Sequence, residues 1–193
     1  MEADWEVEVG GGAPVIEAFW PGFVDLRRTP EGIGEIVEAA AFPPLAGLLR
    51  SLNAAASPLW TAKCDFWEPE ADPAGFGACE SSSFVLACYV DLLPSAGLVF
   101  AEWRQAEAYC RAWVARLASD RLPECGIELI VRQAVAGPAE GYGVTAYLRA
   151  AGPDRSAAAA SLAAALVAFA DAIPLAAAPE NAAPKIQWNS TGE

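Results

Sequence analysis

The sequence predicts an α+β fold, a sheet of about six mostly antiparallel strands with three helical segments packed on one face. Three observations carry this expectation. Apolar and polar residues alternate in several short runs, the period of a half-solvated strand. Other runs place large apolar residues three and four positions apart, the period of an amphipathic helix. The two kinds of run recur in the order strand, strand, helix in blocks of roughly 50 residues, a spacing at which internal repeats are sought.

In the first block, Trp5–Val9 alternates apolar and acidic residues and reads as a strand. Gly10, Gly11 and Gly12 interrupt it, and Val15–Trp20 resumes as a second strand before a Pro21-Gly22 bend. Thr29-Pro30-Glu31 is a helix start, with a cap, an N1 proline and an acid in the first turn. Ile33, Ile36, Val37 and Ala40 supply its expected buried stripe. Pro43-Pro44 must end or kink that helix, because proline cannot donate the backbone hydrogen bond. A shorter helix then turns Leu45, Leu48, Leu49 and Leu52 inward and runs to Asn53.

In the second block, Leu59–Trp67 and Phe84–Leu92 are strands, separated by a Pro-, Gly-, Ser- and acid-rich loop over 68–83. A helix over Val99–Ala118 follows, with Val99, Trp103, Ala106, Cys110, Trp113 and Leu117 on one face. In the third, Ile127–Val135, a turn from Gly137 to Gly143 and Val144–Ala150 precede a helix over Ala157–Ile173. That helix carries its large residues, Leu162, Leu166, Phe169 and Ile173, on one stripe. Such one-sidedness reads as core packing, so no membrane-spanning segment is expected. Phe23-Val24-Asp25-Leu26 echoes Tyr89-Val90-Asp91-Leu92, yet any α+β domain built of hairpins and helices shows the same rhythm. Residues 1–174 are expected to form a single domain and 175–193 an Ala- and Pro-rich flexible tail, in which Ile186-Gln187-Trp188 is an apolar island.

Composition excludes several functions. The chain of 193 residues contains no His, which removes Ser/Cys–His dyads, imidazole acid–base chemistry and His metal sites. A net charge of −13 weighs against duplex nucleic acid and anionic membranes as partners. Fifteen acids and four bases fall in the first hundred residues, so nearly all of the excess belongs to that half. The five Cys are odd in number with no CxxC pair, and the amino terminus lacks the pattern of a signal peptide. Together these predict a reducing cytoplasmic setting with free thiols, in which the Asn189-Ser190-Thr191 sequon has no role. No cofactor or metal is implied: neither glycine cluster opens a helix, and no cysteine spacing matches a zinc knuckle.

The candidate site residues lie on strands. On Trp60–Trp67, alternation places Trp60, Ala62, Cys64 and Phe66 on one face and Thr61, Lys63, Asp65 and Trp67 on the other. Lys63 beside Asp65 is either an amine poised for base or Schiff-base chemistry or an ordinary exposed ion pair. Cys64 and Cys88 read as core residues. Glu6 and Glu8 share a strand face, and Glu68 and Glu70 sit close together. Neither pair meets the facing geometry that glycosidase chemistry needs, and the Glu68–Asp72 loop lacks calcium-loop spacing. Trp20 and Trp67 end strands in Phe-Trp pairs beside bends, where they serve as lids over a core or as interface aromatics.

The expected function is a non-enzymatic protein-binding module with an acidic surface on its N-terminal half. Its partner would be a basic protein, in the manner of an inhibitor or immunity protein covering a cationic toxin or nuclease. The alternatives are a small-molecule binder or enzyme using the Lys63/Asp65 face, and an oligomeric structural subunit.

Overall fold

Strand-forming runs and helical stripes assemble into a mixed six-stranded sheet with helices on one side, an α+β architecture. The computed structural model describes residues 1–10, 12–69, 84–118, 122 and 124–173. The tail segment Ile186–Trp188, Cys79, Glu70 and most of the 68–83 loop lie outside these. The strands are β1 (Glu2–Glu8), β2 (Ile16–Ala18), β3 (Leu59–Trp67), β4 (Phe84–Pro94), β5 (Cys125–Ala136) and β6 (Ala139–Gly152). The helices are α1 (Val37–Ala41), α2 (Pro43–Leu52), α3 (Trp103–Leu117) and α4 (Arg155–Ala172).

The sheet order is β1-β5-β6-β4-β3, with β2 also on β5. β3–β4 and β5–β6 are antiparallel hairpin pairs, joined by β4–β6. β1 and β2 both run parallel to β5 and occupy one lane in succession, Glu8 opposite Arg132 and Ile16 opposite Ala134. The elements do follow the order strand, strand, helix three times, but the first two strands form no hairpin. In this the first block differs from the other two.

Helices α2, α3 and α4 bury their apolar stripes in one large core with Leu86, Cys88, Val90 and Leu92 of β4 and the matching faces of β5 and β6. α4 is long and apolar enough to cross a membrane by length and composition, yet Leu162, Leu166 and Phe169 are fully buried in this core. A smaller cluster of Ile16, Trp60, Ala62, Leu93, Ala134 and their neighbours lies on the opposite face and contains no helical residue. Phe23, Leu98 and Val99 from loops close over it.

Several expectations are corrected. The segment after Thr29-Pro30 is a 3-10 helix over Pro30–Glu35 and then the single turn of α1. Val37 and Ala40 face solvent there, and Ala39 is buried instead. α3 starts at Trp103, because Glu102 and Gln105 form a reciprocal capping box at its N-terminus. Val99 precedes the helix, and Phe100 makes an isolated bridge to Tyr142. The turn between β5 and β6 is confined to Gly137-Pro138, and the stretch to Gly143 is strand. Gly137 adopts φ +59, which suits glycine.

The assignment of β3 faces is overturned in its first half. The register passes from Thr61 opposite Leu92 to Lys63 opposite Asp91, so Ala62 is an extra residue in a β-bulge. A one-residue insertion inverts the alternation. Trp60 and Ala62 therefore belong to the small cluster, whereas Cys64 and Phe66 pack against the large one. Thr61 turns to the helix side, where its N–H donates to Asn53 Oδ1 (3.2 Å) and its hydroxyl accepts from Asn53 Nδ2 (2.7 Å).

Candidate functional site

Among the described residues, no helix covers the second face of the sheet, and the register places chemically active side chains there in rows. One row runs Lys63, Asp91, Thr145, Ile130, Glu6 from β3 to β1. The next is Asp65, Tyr89, Tyr147, Glu128, Asp4, and beyond it lie Trp67, Ala87, Arg149, Gly126 and Glu2. Four inter-strand steps span the face, roughly 19 Å from β3 to β1.

Asp91 is the most constrained group of this face. It is only 4% exposed and accepts a 2.6 Å hydrogen bond from Thr145 Oγ1. Burial disfavours its charge and pushes its pKa up from 3.8 to about 6, while the Thr145 bond, Lys63 and Arg132 pull the other way. Burial also raises the Tyr89 phenol, and the carboxylates of Asp91 and Asp65 add to the effect. Trp67, Tyr89 and Tyr147 form a continuous aromatic ladder, with ring centroids 6.2 and 5.7 Å apart.

Arg132 ties the ladder to the acidic edge. Its Nε donates to Glu8 Oε2 at 2.7 Å and its Nη1 to the Tyr147 hydroxyl at 3.0 Å. Burial opposes its charge, but those two bonds outweigh burial and hold its pKa above the usual arginine value. Glu2, Asp4 and Glu6 stay exposed along β1.

Lys63, Asp65, Trp67, Glu6 and Glu8 thus share one face, on its two outer strands. Lys63 and Asp65 do not pair with each other. Asp65 Oδ1 instead accepts from the N–H of Phe66 at 2.7 Å, and Lys63 stands opposite Asp91. Lys63 is exposed. Trp20 lies apart from Trp67, beside the bulge, where its Nε1 donates to the Ala62 carbonyl at 3.4 Å. Glu68 pairs with Arg155 at 3.3 Å. Burial pushes the thiols of Cys64, Cys88 and Cys110 up to about 12, which leaves them poor nucleophiles. Among the described residues, no group of three or more carboxylates and thiols is arranged to hold a metal.

Sequence reasoning missed Asp91, Arg132, Thr145 and Tyr147. Two signals were present: a carboxylate inside the apolar run of β4, and the alternation Thr145, Tyr147, Arg149 on β6. No protein-family model, curated protein or solved structure matches this chain.

Proposed function

We propose that the chain is a non-catalytic protein-binding module, inhibitor- or immunity-like in mode and cytoplasmic, that receives a basic partner on the face of its sheet turned away from the described helices. The observation that carries this is the register itself. It sets the acids of β1 on the same face as an aromatic ladder, the face turned away from the described helices. Aromatic rings supply contact area at small entropic cost, and the acidic rim steers a cationic protein and orients it. Lys63 is exposed, and this disfavours the alternative in which it acts as a base or Schiff-base residue. Pairing β1 with a second copy of itself would bring its acids against acids, which disfavours an oligomeric subunit built through that edge.

Affinity capture tests the proposal with the wild type, a Glu2→Lys/Glu6→Lys variant and an Ala160→Lys control on the exposed side of α4. Glu8 is spared because reversing it would set two cations together at Arg132. A basic protein should be retained at low salt by the wild type and the control and be lost from the double variant. Equal retention by the double variant, or no salt-sensitive capture at all, would refute the reading.

A further inference from the structure

A second surface, which meets the face just described at Lys63, runs along the outer edge of β3. A groove of about 290 Å³ lies there. Trp20, Phe23 and Val24 from the stretch after β2 line it together with Glu35, Ile36, Val37 and Glu38 from the approach to α1. The floor is four consecutive β3 residues, Thr61–Cys64. Thr61 and Cys64 face the helix side and Ala62 and Lys63 the opposite one, so all four can line a groove only where it follows the strand's edge.

Among the described residues, that edge has no neighbouring strand. The ladder is phased by the Ser95 N–H, which donates to the Pro58 carbonyl at 2.8 Å. The outward backbone groups of β3 are therefore those of Thr61, the carbonyl of the bulged Ala62, and then Cys64 and Phe66. Side chains already occupy most of this edge: Asn53 holds the Thr61 N–H, Trp20 the Ala62 carbonyl and Asp65 the Phe66 N–H. Between them the N–H and C=O of Cys64 point into the groove. Trp20 is 37% exposed and Val37 75%, so the apolar walls are partly unfilled. Among the described residues, Glu35 and Glu38 form no ion pair, and the one base on the lining is Lys63.

We propose that this groove docks a short extended peptide segment of a partner protein by adding it to the edge of β3. An apolar side chain of the peptide seats against Trp20, Phe23 and Ile36, and a neighbouring lysine or arginine meets Glu35 and Glu38. Main-chain bonds to Cys64 supply the common part of the affinity, and the two side-chain subsites supply selectivity. Lys63 at the floor sets the polarity, because it repels a basic residue placed on its own side.

The proposal does not rest on the sheet-face reading, and variants separate the two. Displayed random peptides are selected on the full chain, and the enriched sequence is synthesised and titrated against it by Trp fluorescence. The expected selection is an apolar residue with Lys or Arg within two positions, and binding should perturb Trp20. Glu38→Lys should weaken that peptide by about tenfold, the scale of one lost charge pair of 1.4 kcal/mol. Val37→Asp, at an exposed position, should also weaken it, whereas Glu2→Lys/Glu6→Lys should leave it unchanged. Failure to enrich any peptide, or an enriched peptide bound equally by Glu38→Lys, would overturn the proposal. So would wild-type self-association by light scattering that Val37→Asp abolishes, because the groove would then hold a second copy.

Discussion

Asp91 carries a cost that its neighbours only partly offset. A folded pKa of about 6 lies above the unfolded value near 3.8, so the fold prefers the protonated acid. Its contribution is most favourable below about pH 4 and is lost as pH rises through about 6. At neutral pH the ionised carboxylate weighs against folding by on the order of 2–3 kcal/mol. Asp91→Asn keeps an oxygen for Thr145 Oγ1 and removes the charge. It should therefore raise the melting temperature at pH 8 and confer no gain near pH 4, measured by paired thermal melts across that range. A gain that does not vary with pH would show that packing, and not ionisation, is responsible. Little of this was visible in the sequence: an Asp amid apolar residues is readable, but its burial depends on the strands that flank it, β3 and β6.

At the scale of elements, periodicity located every strand and the two long helices, because their stripes and alternations are local properties. It failed where tertiary contact overrode the pattern. The Ala62 bulge inverts β3, so Lys63, Asp65 and Trp67 fall on the expected common face while Trp60 and Ala62 do not join Cys64 and Phe66. The glycines of β6 read as a long turn because glycine is rare inside strands. Their role is close approach instead. A Cβ on Gly143 would lie 2.8 Å from both Ile16 Cδ1 and Leu93 Cδ2 and 3.0 Å from the Leu92 carbonyl. Gly143→Ala should destabilise the chain by about 1–3 kcal/mol, the usual cost of overpacking, as read by urea unfolding. An unchanged midpoint would mean that β2 and β4 can move aside, and that the small cluster is not closely packed.

For the whole molecule, the net charge of −13 is spread unevenly over the surface. Glu2, Asp4 and Glu6 share one edge, and Arg132 neutralises only Glu8. Repulsion among such charges weakens the compact state and is screened over about 10 Å at 0.1 M salt. Sodium chloride should therefore raise the melting temperature and then plateau, and the Glu2→Lys/Glu6→Lys variant should respond less. A melting temperature that falls with salt would instead assign net stabilisation to ion pairs. The Glu8–Arg132 contact spans 124 residues, so the first strand leaves the ribosome long before its partner strand exists. Until β5 emerges, β1 is an orphan in the nascent chain, and the same row of carboxylates that marks the finished edge keeps it from pairing with its counterparts on neighbouring ribosomes.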